Sequence, residues 1–245
     1  MGSESFDSLG NCGRSLVLVL CYLLCHHKKF DFAEVQVLNE TVMYIPKANQ
    51  INDPETIARF IGSHGFANLI TVHQGVPFAS PFPVLHDQDR GVLWGHMARA
   101  NEQWLHFTED TEVLCIFSGP RAYISPRWYA SEFSVPTWNY AVVHVYGMPE
   151  IIEEPEALRK IVDDTTAKYE QRFDTPWSMH LPEKAVDGML RAIVGFSIKI
   201  TRIEAKFKLG QNKSVEDQEA MLLGLESDSD PASNELAQFM KDYKP

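Results

Sequence analysis

Cysteine is scarce in this sequence, with four among 245 residues. That number is too small for a disulfide framework, and three of the four (Cys12, Cys21 and Cys25) fall near the N-terminus. No cysteine pair has histidine partners at the spacing of a zinc site. Cys115 lies inside an apolar run, which predicts a small buried side chain. The pattern favours a reducing, cytoplasmic location.

Basic charge and long hydrophobic runs are also in short supply. The 22 Lys and Arg residues against 33 Asp and Glu give a formal net charge of -11. Such an acidic chain repels phosphate backbones, so direct DNA binding is doubtful unless a local basic patch provides it. The apolar run at residues 16–25 spans about 15 Å as a helix, half of a bilayer core, and therefore predicts no membrane span.

Sequence signatures of familiar catalytic sites are missing as well. The chain has no G-x-S-x-G, no H-E-x-x-H, and neither of the glycine-rich loops G-x-x-x-x-G-K-[ST] and G-x-G-x-x-G. Its histidines are scattered without the spacing of metal ligands. No metal site and no catalytic residue are predicted, and whether the protein is an enzyme stays open.

The composition that remains is typical of a soluble globular protein, with 44% hydrophobic and 11% aromatic residues. Hydrophobic periodicity and turn residues predict strands at 66–72, 76–85, 92–96, 112–117, 138–146 and 194–200. They predict helices at 54–65, 98–104, 154–173, 182–192, 217–225 and 232–240. Clustered strands closed by peripheral helices favour a mainly β (α+β) fold, a small barrel, over an alternating parallel sheet.

The segment 95–101 is the first of three that carry side chains suited to a ligand. It places His96, Arg99 and Asn101 at a predicted strand-to-helix junction, where backbone N–H groups and a forked cation suit a phosphate. The alternative is that His96 packs in the protein and Arg99 pairs with an acid. A motif without context more often has that structural role.

The segments 120–140 and 206–212 are the other two. The first is dense in Tyr and Trp between prolines, which suits the wall of a planar-ligand pocket and equally a subunit interface or a loop core. Within it, Thr137 and Asn139 can bind the edge of a heteroaromatic ring or cap a turn. The second is a basic and amide cluster that suits an anionic ligand, or else is a solvated face.

Five ordered blocks of the chain resemble the PaiB-type FMN-binding negative transcriptional regulators. The blocks read MYIP, GHMARAN, YISP, PTWNY and KFKLGQN, and the resemblance extends over nearly all of residues 43–245. Gly210 is a departure, since the family pattern has a small polar residue such as Ser there. Family members begin near Met43. Residues 1–42 are therefore expected to be an N-terminal extension, poorly ordered or weakly helical.

The resemblance implies a domain over 43–245 that is an FMN-binding split β-barrel with peripheral and C-terminal helices, similar to the pyridoxamine-phosphate oxidase group. It implies a homodimer with the flavin near the subunit interface. By position, the strand and turn around Arg99 seat the flavin phosphate, while Ala79 and Ser80 face the isoalloxazine. Trp138 and Asn139, of the same or of the other subunit, close over the ring. The expected FMN-binding residues are Ala79, Ser80, His96, Met97, Ala98, Arg99, Asn101, Trp138, Asn139, Lys208, Gln211 and Asn212.

Three functions remain open on the sequence. The first is a flavin-binding negative regulator that acts on DNA directly or indirectly. The second is an FMN-dependent oxidoreductase acting on a small molecule, in which the flavin carries the redox chemistry. The third is a dimeric barrel whose pocket is empty or holds another planar ligand such as haem, with His96 and His144 as the histidines to test.

Overall fold

The computed structural model describes residues 43–108, 110–132, 134–177 and 181–243. The extension expected at residues 1–42 lies outside the described residues, and so does the apolar run at 16–25. Within the described ranges, no helix is long and apolar enough to cross a membrane.

Seven β-strands and five α-helices make up the described part of the chain. The strands are β1 (Gln50–Ile51), β2 (Phe66–His73), β3 (Val76–Asp87), β4 (Val92–Ala98), β5 (Val113–Ile124), β6 (Thr137–Ile152) and β7 (Ile193–Lys208). The helices are α1 (Pro54–Ser63), α2 (Pro155–Glu170), α3 (Glu183–Leu190), α4 (Val215–Ser227) and α5 (Pro231–Asp242). Short 3-10 helices at Glu102–His106 and Pro126–Trp128 lie in the connections.

Six of these strands form a closed antiparallel barrel. The hydrogen-bonded order is β7–β4–β3–β2–β5–β6, and β6 pairs again with β7, which closes the sheet. Residues 193–199 of β7 pair with β4, and most of β7 pairs with β6 along its other edge. The expected mainly β (α+β) barrel with peripheral and C-terminal helices is therefore confirmed.

The barrel interior is filled by alternate residues of each strand, as the period of two in a strand requires. Its largest fully buried side chains include Phe117, Phe196 and Phe207. Cys115 is among the buried residues, as predicted, and burial raises the pKa of its thiol to about 12. At neutral pH this cysteine is an inert thiol in the core.

Local sequence signals correctly predict where α1 begins and where β2 turns into β3. The Asp53 carboxylate accepts a hydrogen bond from the Thr56 backbone N–H at 2.9 Å, which caps α1. Gln74 and Gly75 both have positive φ, at 52° and 79°, as a type I′ hairpin turn requires.

The pairing of β3 explains how this strand tolerates its prolines. Pro77 and Pro81 lie in the part of β3 that pairs only with β2, because pairing with β4 begins at Val84. Proline has no N–H to donate and is accepted where one edge of a strand is open. Prolines in a strand predict either an edge strand or a bulge, and the edge is confirmed for this half of β3.

The alternation of apolar and small or polar residues along 194–200 predicts a half-buried strand, and that prediction was wrong. All of residues 194–198 are buried, because α2 packs on the outer side of β7. A Cβ placed on Gly195 would lie 2.7 Å from Leu158 Cδ2 of α2. Glycine at this position is thus what lets the helix approach the sheet.

The helix predicted at 98–104 was also wrong. Strand β4 continues to Ala98, and the following 3-10 helix, Glu102–His106, has five residues. The Asn101 side chain caps it by accepting from the Gln103 backbone N–H at 3.1 Å. So short a helix has little aligned dipole, which removes that part of the argument for a phosphate seat.

Candidate flavin site

The outer surface of β2, β5 and β6 leaves large apolar side chains exposed to water. Cross-strand pairing puts alternate residues of these strands on one side, and β7 continues the same surface. We call this surface the exposed sheet face. Its outward residues include Phe66, Ile70, Val72, Leu114, Ile116, Tyr123, Trp138, Tyr140, Val142, His144, Tyr146, Arg202, Glu204, Lys206 and Lys208.

Aromatic rings stand at one end of the exposed sheet face. Trp138 and Tyr123 are cross-strand neighbours whose ring centroids lie 6.1 Å apart in an edge-to-face arrangement. Both rings are about half exposed. A rigid, half-exposed aromatic pair is the kind of wall that packs against a planar ring.

Two lysines lie beside these rings on β7. The Lys206 ammonium donates to the Tyr44 carbonyl oxygen at 2.9 Å and lies 5.4 Å from the centroids of the Tyr44 and Tyr140 rings. Lys208 donates to the Thr137 hydroxyl and to the Trp138 carbonyl oxygen. This end of the face therefore combines aromatic surface with positive charge, as an aromatic phosphate ester requires.

The middle of the exposed sheet face carries a polar cluster around Glu204. This carboxylate pairs with Arg202 and accepts from the Met43 backbone N–H at 2.9 Å. The Nδ1 atom of His144, the cross-strand neighbour of Glu204, is buried without a hydrogen-bond partner in the described structure. Burial lowers the pKa of His144, and Glu204 partly opposes the shift. An unpaired buried nitrogen is an available contact for a ligand.

Arg99 and its neighbours lie elsewhere, at the end of β4. The Arg99 guanidinium donates to Glu153 Oε1 at 2.8 Å and to the carbonyl oxygens of Arg191 and Ile193. This is the structural role that the sequence left open for Arg99. It does not exclude a flavin phosphate, because a guanidinium has five N–H donors and this one is partly exposed.

The other predicted residues of this segment divide between the core and the barrel end. Met97 is buried in the core, whereas Ala98 is exposed. His96 points outward beside Gly195, its Nδ1 atom is buried without a partner in the described structure, and burial lowers its pKa. The Asn101 side chain donates to the Ser80 hydroxyl at 3.2 Å, so the structure does bring these two predicted residues together.

The four remaining predicted residues lie in different environments. They are Ala79, Asn139, Gln211 and Asn212. Ala79 is exposed on β3, opposite Ile70, and Asn212 is exposed after β7. Asn139 is 1% exposed and contacts Met221 of α4, so it faces the opposite side of β6 from Trp138. Gln211 folds back on the end of β7, where its Oε1 accepts from the Leu209 backbone N–H. Their roles as flavin contacts stay predictions.

Gly210, the departure from the family pattern, has a local explanation. Its φ is 84°, a conformation that side chains other than glycine rarely adopt. A Cβ at this position would also lie 2.7 Å from Met221 Cε. The backbone conformation therefore favours glycine here, and any larger residue would also displace the end of the buried Met221 side chain.

Arg99 and Trp138 are held at opposite ends of one long strand. Arg99 bonds to Ile193, where β7 begins, and Trp138 accepts from Lys208, where β7 ends. Strand residues rise about 3.3 Å each, so a strand of 16 residues is much longer than a mononucleotide. The 16 residues of β7 therefore separate Arg99 from Trp138 along the strand.

The described residues fit a flavin in their chemistry. The two unpaired histidine nitrogens and the unpaired Oε1 of Gln103 are buried polar atoms of the kind that a flavin's polar ring edge and ribityl hydroxyls satisfy. The Trp138–Tyr123 pair offers an aromatic wall, and Lys206 and Lys208 offer cations. No group of three or more metal-ligating side chains occurs in the described ranges.

A family model described as “Putative FMN-binding domain” matches residues 43–202. The chain belongs to this family. FMN is thereby confirmed as the cofactor.

The “Protease synthase and sporulation protein PAI 2” of Bacillus subtilis is 36% identical over 204 residues, covering 82% of this chain and 97% of that protein. This similarity confirms the predicted resemblance to the PaiB family. An uncharacterised protein of Emericella nidulans is 28% identical and covers 68% of this chain and 80% of its own length.

Solved structures show the same fold at low sequence identity. The FAD and haem binding protein of Mycobacterium smegmatis has a TM-score of 0.52 and 16% identity, over 70% of this chain and 79% of that one. A 5-nitroimidazole antibiotic resistance protein candidate of Bacteroides thetaiotaomicron has a TM-score of 0.50 and 17% identity, over 64% and 85% of the two chains. The predicted split barrel is thereby confirmed, and the chain is a flavin-binding split-barrel protein.

Sequence reasoning missed several polar residues of this region. Lys206 lies in a recognised block but was not assigned to the flavin, and Glu204 and Gln103 were not singled out at all. The alternation along β7 would have placed Glu204, Lys206 and Lys208 on one side. Nothing in the sequence indicates that Gln103 is buried, because its three acceptors lie more than 20 residues away on β2 and β3, at Leu69, Thr71 and Phe78.

Proposed function

We propose that this protein is a cytoplasmic, homodimeric, FMN-dependent negative regulator of gene expression. Each flavin lies between the 96–101 segment of one subunit and the exposed sheet face of its partner. The observation that carries the proposal is the separation of Arg99 and Trp138 along β7, since a second copy supplies the half that each subunit lacks. The similarity to PAI 2 supports a regulatory role.

The proposed roles of the residues follow from their chemistry. Arg99 contacts the phosphate through its remaining N–H donors, and Ser80 and Asn101 present a hydroxyl and an amide beside it. Trp138 and Tyr123 of the partner pack on the ring and exclude water from it. When bound, FMN supplies electron-transfer chemistry, which makes a redox-sensing output available to the regulator.

The first test is the visible spectrum of the purified full-length protein together with its mass in solution. We expect flavin absorption at one FMN per subunit and the mass of a dimer. A flavin-loaded monomer contradicts the interface, and a haem spectrum favours the haem-binding alternative.

The second test removes one aromatic wall. Trp138→Ala should weaken FMN affinity by about tenfold or more, because a ring stacked in an interface contributes of the order of 1.5–3 kcal/mol. The matched control is Trp177→Ala, since Trp177 is 56% exposed against 55% for Trp138 and lies outside this face. Equal affinities in the two variants contradict a role for Trp138.

A third test separates binding by Arg99 from its structural role. Glu153→Gln removes the ion-pair partner but keeps the guanidinium, whereas Arg99→Ala removes the cation. If Arg99 contacts the phosphate, we expect Arg99→Ala to weaken FMN binding and Glu153→Gln to leave it unchanged or tighter. Equal FMN affinity in Arg99→Ala and the wild type contradicts the assignment.

The regulatory output has its own test. The charge of -11 disfavours direct DNA binding, so we expect regulation through a protein partner. Titration of promoter DNA from regulated genes at two salt concentrations should show no salt-dependent specific complex at sub-micromolar protein. A sequence-specific shift that weakens with salt contradicts the indirect route and supports direct repression.

A further inference from the structure

A groove with a volume of about 1020 Å³ runs between α2 and the turn that joins β3 to β4. Its apolar surface includes Leu85, Trp94 and Ile161. The residues predicted to bind FMN are absent from the described lining of this groove. It is therefore separate from the flavin site, and its size lies at the upper end of small-molecule pockets. We call it the α2 groove.

Most charges around the α2 groove are paired with one another. Lys160 bonds to Asp164 at 2.7 Å along α2, and Arg90 pairs with Asp87 at the β3–β4 turn. These pairs occupy both cations at the edge of the groove. Among the residues that the structure describes, Asp89, His86 and one further lysine are the other charged or titratable groups of its lining.

Lys168 is that remaining lysine. It forms no ion pair or hydrogen bond with the described residues, and its ammonium lies 5.7 Å from the centroid of the Tyr169 ring. Gly65 leaves room for it, since a Cβ there would lie 2.9 Å from Lys168 Nζ. Burial lowers the pKa of Lys168, and no carboxylate in the described part of the chain opposes that shift.

A half-buried ammonium without an anionic partner is unfavourable in an isolated protein. The Lys168 ammonium lies in a groove that is also lined by the Trp94 indole. The chain has 33 acidic residues, yet none in the described ranges pairs with it. An anion bound from solution would compensate the charge, and a flat apolar body would cover the Trp94 ring.

We propose that the α2 groove is a second ligand site, which binds a small flat organic anion, with its carboxylate on Lys168 and its ring against Trp94. His86 lies at the same part of the groove, because the charges of Lys168 and His86 act on each other. The site is independent of the flavin and offers the protein a small-molecule input of its own.

The experiment titrates 2-naphthoate into flavin-saturated, full-length protein by calorimetry, with uncharged 2-naphthalenemethanol as the matched ligand. We expect naphthoate to bind at one site per subunit and the alcohol to bind at least about tenfold more weakly, because a charge-assisted hydrogen bond contributes about that factor. Lys168→Gln should reduce the naphthoate affinity by a similar factor, and Trp94→Leu should reduce the affinity for both ligands.

Lys160→Gln is the matched control, because Lys160 lines the same groove but is already paired with Asp164. We expect less than a twofold change in this variant. Equal naphthoate affinities in the wild type and Lys168→Gln overturn the proposal, as does a failure of naphthoate to bind. The thermal midpoint of Lys168→Gln should equal or exceed that of the wild type, and a large fall would indicate a structural role instead.

Discussion

The outer side of β4 and β7 lies under α2, whereas the outer side of β2, β5 and β6 leaves large apolar residues in water. On the covered side, Gly195 lets Leu158 and Ile161 approach the sheet within van der Waals distance. On the exposed sheet face, Val72 and Trp138 are each more than half exposed. The same barrel thus completes one of its surfaces with its own helix, and we propose that it completes the other with a second copy and a flavin.

Truncation of the covered side should give the largest loss of stability. Leu158→Ala deletes a buried side chain between α2 and β7 and should lower the free energy of unfolding by about 2–5 kcal/mol. Val72→Ala on the exposed sheet face should lower it by less than about 0.5 kcal/mol in the monomer. Urea unfolding at low protein concentration measures both, and equal losses would contradict the difference between the two sides.

A charge on the exposed sheet face should break the dimer without unfolding the subunit. Val72→Asp places a carboxylate where we propose that apolar surfaces meet, and should weaken dimerisation by about 2 kcal/mol, or thirtyfold. Sedimentation equilibrium measures the change. Val215→Asp is the control, because Val215 is 65% exposed at the first turn of α4, where an acid is tolerated. An unchanged dimer in Val72→Asp would contradict the interface.

The loop that joins β5 to β6 at the end of the exposed sheet face should be sensitive to acid. Asp217 of α4 accepts hydrogen bonds from the Ser131 backbone N–H at 2.9 Å and from the Ser131 hydroxyl at 2.8 Å, and these bonds lower its pKa. Because the folded pKa is below the unfolded one, this stabilisation is complete above about pH 4 and is lost as the pH falls through the folded pKa.

Asp217→Asn should therefore lower the thermal midpoint at pH 7, and the difference from the wild type should shrink toward pH 3. Thermal unfolding followed by circular dichroism over this range measures it. The control is Glu216→Gln at the exposed neighbouring position. A difference that stays constant with pH would mean that the carboxylate charge is not what holds the loop.

Two histidines, one on each side of the barrel, should have the smallest effects on stability. Burial lowers the pKa of His96 on the covered side and of His144 on the exposed sheet face. In each case the unfolded chain binds the proton more readily, so stability is complete above about pH 6.5 and falls as the pH drops below it. His96→Gln and His144→Gln should each flatten this decline.

The two histidines should differ in their dependence on protein concentration. If the exposed sheet face forms the dimer, protonation of His144 also opposes association, and its effect on the thermal midpoint should vary with concentration. The effect of His96 should depend on concentration less, because its ring lies beside Gly195 on the covered side of the barrel, whereas the ring of His144 lies on the exposed sheet face itself. Thermal unfolding at two concentrations at pH 5.5 and 7.5 checks this, and identical behaviour of the two variants would place His144 outside the interface.

Much of the fold was predictable because its signals are local. The cap at Asp53, the turn at Gln74 and Gly75, and the periods of most strands and helices act over a few residues. The prediction of a helix at 98–104 was wrong because periodicity over so short a segment does not distinguish a helix from the end of a strand followed by a 3-10 helix.

The candidate site was predictable in part, and mainly through the family resemblance. The blocks around His96 and Trp138 were found, but the alternation of β6 puts Asn139 on the opposite side from Trp138. The pairing of Arg99 with Glu153 joins residues 54 positions apart. No local pattern contains that information, because it depends on how β4, β6 and β7 meet.

Periodicity, capping and residue identity over short stretches were enough to predict the α+β barrel, the FMN-binding family and the segments around His96 and Trp138. The folded structure was needed to show that Arg99 pairs with Glu153, that β7 is buried under α2, that Lys168 has no anionic partner among the described residues, and that Arg99 and Trp138 lie at opposite ends of β7. Those features depend on burial and on contacts between residues distant in the chain, which exist only after the barrel closes.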